Sequence, residues 1–417
     1  MCYIRGMWKI AIAAILASTL LSSVAAAESP WAETARDEDL EVKLVTFGPG
    51  DAVHQYFGHN ALIVEDTQRG MAAMYNFGMF NFGPDMLPKY LQGQLEFWAI
   101  ATGVRRTYAA YRTMNRSIRV RELDLRPEKR RWLAERLSWH VQPENRAYRY
   151  HHYRDNCSTK VRDLIDGASG GLLGAQHSKP ARLTYRGHTW RYTEHDPIIH
   201  MLLVFWMNDS MERPIQEMHE AFLPDELEKL VDATLIEEGG RKRPLVKRAY
   251  TLFEARRAPV AENPSPRWPS TLGLGLLLGG VALLLAWLQR RHRDRFSAAL
   301  FGLHHVLLGI LCGVPGLVAG LFLLTEWKVT HWNENLFLCN PVTFLSFPLG
   351  LMLIFGSRWA RRWLARAAYL MAASSLLLLV LKLLPNFDQQ VWLPMALMLP
   401  ANVGFALAHR LLEPTKG

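Results

Sequence analysis

Tyr153-Arg154-Asp155-Asn156-Cys157-Ser158-Thr159-Lys160-Val161-Arg162-Asp163-Leu164-Ile165-Asp166 reads as the start of a helix. Asp155 or Asn156 can cap the first free backbone N–H groups, and Thr159 falls in the first turn. Val161, Leu164 and Ile165 repeat at helical spacing and face a core. Cys157 then sits at the helix N-terminus, where the positive end of the macrodipole favours thiolate over thiol. A thiolate is a nucleophile; a buried neutral thiol is a small apolar filler.

The other three cysteines sharpen this reading. Cys2 lies in the extreme N-terminal segment, and Cys312 and Cys339 lie in long apolar runs. Cys157 is therefore the lone thiol of the polar part of the chain. An exported thiol with no soluble partner is a candidate reactive group, set against the plainer reading of an inert, half-buried Cys.

The export inference rests on the N-terminus. Residues Met1 to Ala27 look like a secretory signal: Arg5 and Lys9 form a basic region, Ile10 to Leu21 a short apolar one, and Ala25-Ala26-Ala27 a small-residue cleavage site. An uncleaved anchor is the rival reading, but the apolar run is short for a span. The chain has 417 residues, room for about two or three domains. A formal net charge of +10 would suit nucleic acid, but an exported membrane protein meets anionic lipid headgroups instead.

Residues 28–257 read as one α+β domain. Strands are expected over Glu41–Phe47, His59–Val64, Met71–Phe82, Tyr90–Ala101, Ser117–Leu125 and Ala147–Tyr153, with a helix from Pro127 to about His140. Gly167–Pro180 reads as loop, and Ile198–Met207 and Pro224–Leu235 as helices, the first of them core or membrane surface. Residues 258–270 are a Pro-rich linker. Residues 271–410 carry apolar segments at about 271–289, 299–325, 336–356, 367–384 and 391–408, five expected spans of ~20 residues each. Arg290, Arg291, Arg293 and Arg295 follow the first, and Arg358, Arg361, Arg362 and Arg366 the third. The positive-inside bias puts those loops and the tail 411–417 in the cytoplasm and the α+β domain outside. Arg241, Lys242, Arg243, Lys247 and Arg248 pull the other way, but a long translocated domain weighs little in that rule.

Cysteine catalysis needs a base for the thiol proton and a third group to hold that base. His59, beside Gly58 at the head of a strand, is the candidate base among many His residues. Asn76, in Tyr75-Asn76-Phe77-Gly78, is the candidate orienter. The Cys157 backbone N–H can serve as an oxyanion donor. The basic run from Arg105 to Arg131 is either a solvated face or a surface for anionic headgroups. The loop His331 to Asn335 is either an ordinary interfacial loop or a grip on a lipid headgroup or an amine acceptor.

Gly58-His59 on a strand, followed much later by Asn156-Cys157 at a helix start, resembles the circularly permuted NlpC/papain-like fold. That group includes thiol peptidases and the lecithin:retinol acyltransferase relatives. Phe57-Gly58-His59, Tyr75-Asn76-Phe77-Gly78, Asp155-Asn156-Cys157-Ser158-Thr159 and Phe222-Leu223-Pro224 look more specifically like the periplasmic domain of the Lnb family of lipoprotein N-acyltransferases. His331-Trp332-Asn333-Glu334-Asn335 and Asn340-Pro341 extend the similarity into the membrane part. The resemblance implies Cys157 as nucleophile and His59 as base; Asn156, His331, Asn333 and Asn335 are the candidate substrate contacts. It implies a fatty acyl group passing from phospholipid through a Cys thioester to an amine, the N-terminus of a lipoprotein. No metal, cofactor, nucleic acid or obligate protein partner is expected, and the location is the inner membrane with the domain in the periplasm. A cell-wall thiol peptidase or amidase and a non-catalytic membrane sensor are the rivals. Five spans exceed what a hydrolase needs as an anchor, and a sensor is expected to carry a cytoplasmic output domain.

Overall fold

The apolar alternation near residue 41 becomes β1 (Leu40–Phe47), paired antiparallel with β2 (His59–Asp66). This is seen in a computed structural model that describes residues 30–31, 36–81, 83–84, 86–238 and 240–413. The signal-like segment Met1–Ala27 and residues 414–417 of the tail lie outside the described residues. β3 (Met71–Met79), β4 (Glu96–Thr102), β5 (Ile118–Leu123), β6 (Ala147–Arg149) and β9 (Val246–Phe253) complete a seven-stranded antiparallel sheet in the order β6-β4-β3-β2-β1-β5-β9. β7 (Leu235–Glu238) and β8 (Arg241–Pro244) form a separate hairpin.

Strand alternation sends side chains to two faces. Leu62, Val64, Tyr75 and Phe77 meet α3 (Pro127–His140) and α4 (Cys157–Ser169) in the larger core. Val45, Phe47, Ala61, Ile63 and Met74 meet α2 (Val104–Thr113) on the other face. That helix was hidden in the basic run. Its Val104, Tyr108 and Tyr111 form an apolar stripe that covers the sheet.

Several boundaries differ from the sequence expectation. Only Glu96–Thr102 of the segment Tyr90–Ala101 pairs as strand, and α1 (Met86–Gln92) precedes it. The Gly-rich segment after residue 167 is not all loop. α4 runs to Ser169, and Gly170, at φ +78°, ends it with Gly171 N–H bonding back to Asp166 O. A short helix follows at Leu172–Gln176. β9 had no counterpart in the sequence reading, because its Lys247 and Arg248 look like the flank of a membrane segment. They pair instead with Glu41 and Glu122 of the sheet.

α5 (Tyr185–Thr193), α6 (Pro197–Trp206) and α7 (Pro224–Ala233) lead to the membrane bundle. Among the described residues, four helices are long and apolar enough to cross a bilayer by length and composition: α8 (Trp268–His292), α9 (Arg295–Phe322), α11 (Arg358–Leu381) and α12 (Trp392–Leu412). The third expected span, 336–356, holds the shorter apolar helix α10 (Pro341–Ile354). At 1.5 Å per residue α10 covers about 21 Å of the ~30 Å hydrocarbon core. The break is at Asn340-Pro341, where Asn340 caps the helix by accepting from Val342 N–H. The carbonyls freed upstream find side chains: Leu336 O takes Asn340 Nδ2, Phe337 O takes Ser374 Oγ, and Leu338 O takes Asn402 Nδ2. Irregular backbone survives in a bundle where protein satisfies it in this way.

The soluble domain is fastened to the outer end of the bundle. Phe205 of α6 packs into the bundle core. Its carbonyl accepts from Asn333 Nδ2 at 2.7 Å and Asn335 Nδ2 at 2.9 Å. Asn208 donates to the carbonyls of Lys328 and His331, and Gln389 to that of Met207. Arg186–Glu212 and Lys382–Glu334 are buried ion pairs at 2.6 and 2.8 Å in the same junction.

One backbone position holds the start of β2. Gly58 has φ +81°, and a Cβ there would lie 2.8 Å from Phe47 O. Gly58→Ala should therefore lower the thermal midpoint, by the equivalent of about 1–3 kcal/mol, and move His59. An unshifted midpoint in the purified full-length variant would contradict this account of the turn.

Candidate active site

The sheet register brings His59 and Asn76 together. Ala61 pairs with Asn76, so His59, two residues earlier, is the diagonal neighbour of Asn76 on the same face. His59 Nε2 lies 3.2 Å from Asn76 Oδ1. Asn76 Nδ2 donates to Thr102 Oγ1 at 2.9 Å and to Met74 O at 3.3 Å. A carbonyl oxygen can only accept, so the amide's orientation is settled and Oδ1 faces the imidazole. Nε2 then carries the proton, and Nδ1 is left as the basic nitrogen. Phe47 and Tyr111 stack along the ring at centroid distances of 5.9 and 6.3 Å.

Cys157 is brought to the same end of the sheet by its own helix cap. Asn156 accepts from Ser158 N–H and Thr159 N–H, and Thr159 Oγ1 accepts from Asn156 N–H, a reciprocal capping box. Asn156 Nδ2 donates to His152 O and Phe222 O. Ser158 Oγ lies 2.8 Å from Asn60 Oδ1, which pins the helix start to the residue after His59. The β3–β4 pairing is irregular between Asn76 and Met79, and Gly78 in that bulge has φ +92°. A Cβ on Gly78 would lie 3.6 Å from Cys157 Cβ and 3.8 Å from the Tyr148 hydroxyl. The missing side chain leaves a notch bordered by the thiol residue and a phenol. That hydroxyl is buried with no hydrogen-bond partner among the described residues.

Arg116 completes the electrostatics. It is 3% exposed, its Nε donates to Gly48 O at 2.7 Å, and its guanidinium lies 4.6 Å from the Tyr111 ring centroid. Burial and then the Arg116 charge push the His59 imidazole down to about 4, against the opposing Asn76 hydrogen bond. Burial also pushes the Cys157 thiol above its usual 9.0. Backbone N–H groups of Asn60, Ser158 and Cys157, with Arg116, pull the other way and do not prevail. The helix start alone thus does not make a standing thiolate, contrary to the expectation from sequence. Thiol and imidazole are both neutral near pH 7, which suits proton transfer during attack rather than a preformed ion pair.

The other sequence candidates sit elsewhere. The Asn156 amide is fully engaged in holding the helix start and has no free donor for a ligand. Asn333 and Asn335 are 3% and 0% exposed and bind Phe205 O in the junction. His331 Nε2 lies 2.9 Å from Thr325 O, and none of these three contacts His59, Asn76 or Cys157. Sequence reasoning missed Arg116 and Tyr148 as site residues. Arg116 was one of ten cations in a run, and four of the others are structural. Arg119 and Arg121 pair with Asp225, Glu228 and Asp232, Arg131 with Asp37, and Arg130 binds Leu40 O. Among the described residues no group of three or more His, Cys, Asp or Glu side chains is placed to hold a metal ion.

Iodoacetamide alkylation of Cys157 should rise steadily from about pH 7 to 9, with no plateau near neutrality. Arg116→Met should shift that profile to higher pH, since a charge favouring the thiolate is removed. A plateau already reached by about pH 6 would instead mark a thiolate–imidazolium pair.

Residues 27–195, which include His59, Asn76, Asn156, Cys157, Arg116 and Tyr148, match the family model described as the Lnb N-terminal periplasmic domain. The match stops before the linker and the bundle. No curated protein and no solved structure matches the chain. With the apolar helices, the match makes this a membrane-associated protein with a periplasmic domain of Lnb type.

Proposed function

We propose that the chain is a membrane-bound thiol acyltransferase that moves a fatty acyl group from a phospholipid to an amine, the N-terminus of a lipoprotein, at the periplasmic face of the inner membrane. The observation that carries this reading is that Cys157 opens its helix against Asn60, the residue after His59, with Asn76 on the His59 ring and the Gly78 notch beside the thiol residue, on a domain fastened to an apolar bundle. Strand β6 strengthens it: Tyr148 borders the notch, and the adjacent Arg149 pairs with Glu326 of the bundle's outer loop at 3.0 Å. Gln92 O also accepts from Glu326 N–H, so the notch side of the sheet stands against the membrane part.

The chemistry is two acyl transfers of the same form. His59 Nδ1 takes the Cys157 proton as Sγ attacks the ester carbonyl carbon. The Cys157 backbone N–H and the Tyr148 hydroxyl are the donors available for the oxyanion, and Arg116 favours the negative charge as it develops. The ester C–O bond breaks, the imidazolium returns its proton to the leaving lysophospholipid alkoxide, and a thioester remains. The amine then attacks the thioester carbonyl and gives a proton to His59. The C–S bond breaks, and the proton passes to the departing sulfur. Neutral His59 suits both halves, because it must accept a proton first each time. The buried Asn333–Asn335 cluster acts in this reading through the junction, by fixing where the domain sits on the bilayer.

Full-length protein given a phospholipid and a diacylated lipopeptide should release lysophospholipid and N-acylated peptide in equal amounts. Cys157→Ala should yield neither. Asn76→Ala should lower kcat on the order of a hundredfold with KM little changed, since only the orientation of the base is lost. Cleavage of cell-wall peptides without lysophospholipid release would replace this reading with the peptidase one.

A further inference from the structure

The end of the bundle opposite the soluble domain holds a second candidate site. The inner ends of α8, α9, α10, α11 and α12 border an open cavity of about 920 Å³. Arg290, Arg293, Arg295 and Arg361 line it, together with Gln289 and Phe355. The two carboxylates on its wall, Asp294 and Glu413, are already engaged. Asp294 caps α9 through Ser297 N–H, and Glu413 accepts from the Tyr369 hydroxyl at 2.8 Å. Among the described residues no carboxylate lies within ion-pair distance of any of the four arginines. Arg290 is tethered to α12 through Leu411 O at 3.0 Å.

A separate observation points to a ligand. Gln289 is 6% exposed, and its Oε1 is buried with no partner. An orphan buried acceptor is costly, because its lost hydration is not replaced. Here it lies beside four arginines that make no ion pair among the described residues, against two carboxylates on the same wall. The pairing suits a ligand with a negative group for the guanidiniums and a hydroxyl or ammonium donor for the amide oxygen. A phosphate ester bearing a donor has both features. The surroundings favour a lipid over a free solute: Phe355, Phe296 and Trp359 are 88%, 72% and 56% exposed around the arginine end. Exposed aromatic residues beside arginines mark the depth of lipid headgroups.

We propose that this cavity binds the phosphodiester headgroup of an anionic phospholipid from the leaflet on the arginine side, with Gln289 Oε1 accepting from a headgroup hydroxyl. The site is independent of the Cys157 chemistry and lies at the other end of the bundle. A bound headgroup would tie the α8–α9 turn to α11 and α12 and hold the inner end of the bundle together.

The test is lipid binding by native mass spectrometry on the full-length protein, with phosphatidylglycerol and phosphatidylcholine titrated separately. Wild type should show one saturable phosphatidylglycerol site and weak phosphatidylcholine binding. Arg293→Gln/Arg361→Gln should weaken phosphatidylglycerol binding about thirtyfold, at roughly 1 kcal/mol per arginine. Gln289→Leu, which keeps all four charges, should weaken it severalfold and carries the test if the double variant fails to fold. Millimolar inorganic phosphate or glycerol 3-phosphate should not displace the lipid. Equal phosphatidylglycerol binding by the wild type and a folded variant would overturn the proposal. Displacement by glycerol 3-phosphate would show a site for a free phosphate ester instead and overturn the lipid assignment.

Discussion

The contact between the start of α4 and the start of β2 fixes the candidate site. Ser158 reaches Asn60, and Asn60 Nδ2 in turn reaches Thr46 Oγ1 at 3.1 Å on β1. All three side chains are buried. A buried hydroxyl–amide chain of this kind is favourable only when every member is satisfied, so it tolerates one relative placement of helix and strand. That placement sets Cys157 against Asn60, the residue after His59. Gly58 makes the turn into β2, and Gly78 removes the side chain that would otherwise fill the space beside Cys157.

A second constraint acts between the two parts of the molecule. The junction buries two ion pairs and a set of amides that bind carbonyls across it. Such groups stabilise little compared with apolar packing, but leaving one unpaired is costly. They therefore specify orientation more than they add stability. The consequence for function is a soluble domain held at one attitude to the bundle, with β6 and its Arg149 against the outer loop. An enzyme that draws an ester from a bilayer needs its nucleophile at a constant height.

The parts of the site readable from sequence were those written locally. Asn156-Cys157-Ser158-Thr159 carries its own capping signal within four residues, and Gly58-His59 carries its own turn. Pro127 marked α3, whose end at His140 was also legible. Asn76 was reachable because it lies one strand away, where register follows from the hairpin. Arg116 and Tyr148 were not legible. Nothing local separates a buried arginine from the paired ones beside it, or an unpartnered phenol from its aromatic neighbours. The interruption of the third apolar segment, 336–356, was not legible for a similar reason. Its length looked sufficient, but Asn340-Pro341 breaks it, and the groups that make the break tolerable, Ser374 and Asn402, lie far along the chain. Asn333 and Asn335 look like a ligand motif in sequence. Their common partner is the Phe205 carbonyl, more than a hundred residues earlier.

The central claim is that Cys157 carries the acyl group between donor and acceptor. Its most direct test is to incubate the purified protein with acyl-labelled phospholipid in the absence of any amine acceptor. The account predicts label on the protein that survives denaturing gels, is released by neutral hydroxylamine and maps to the Cys157 peptide. It also predicts no label in Cys157→Ala and slow labelling in folded His59→Ala. Protein that transfers acyl groups to an added amine without ever holding label at Cys157 would contradict the account.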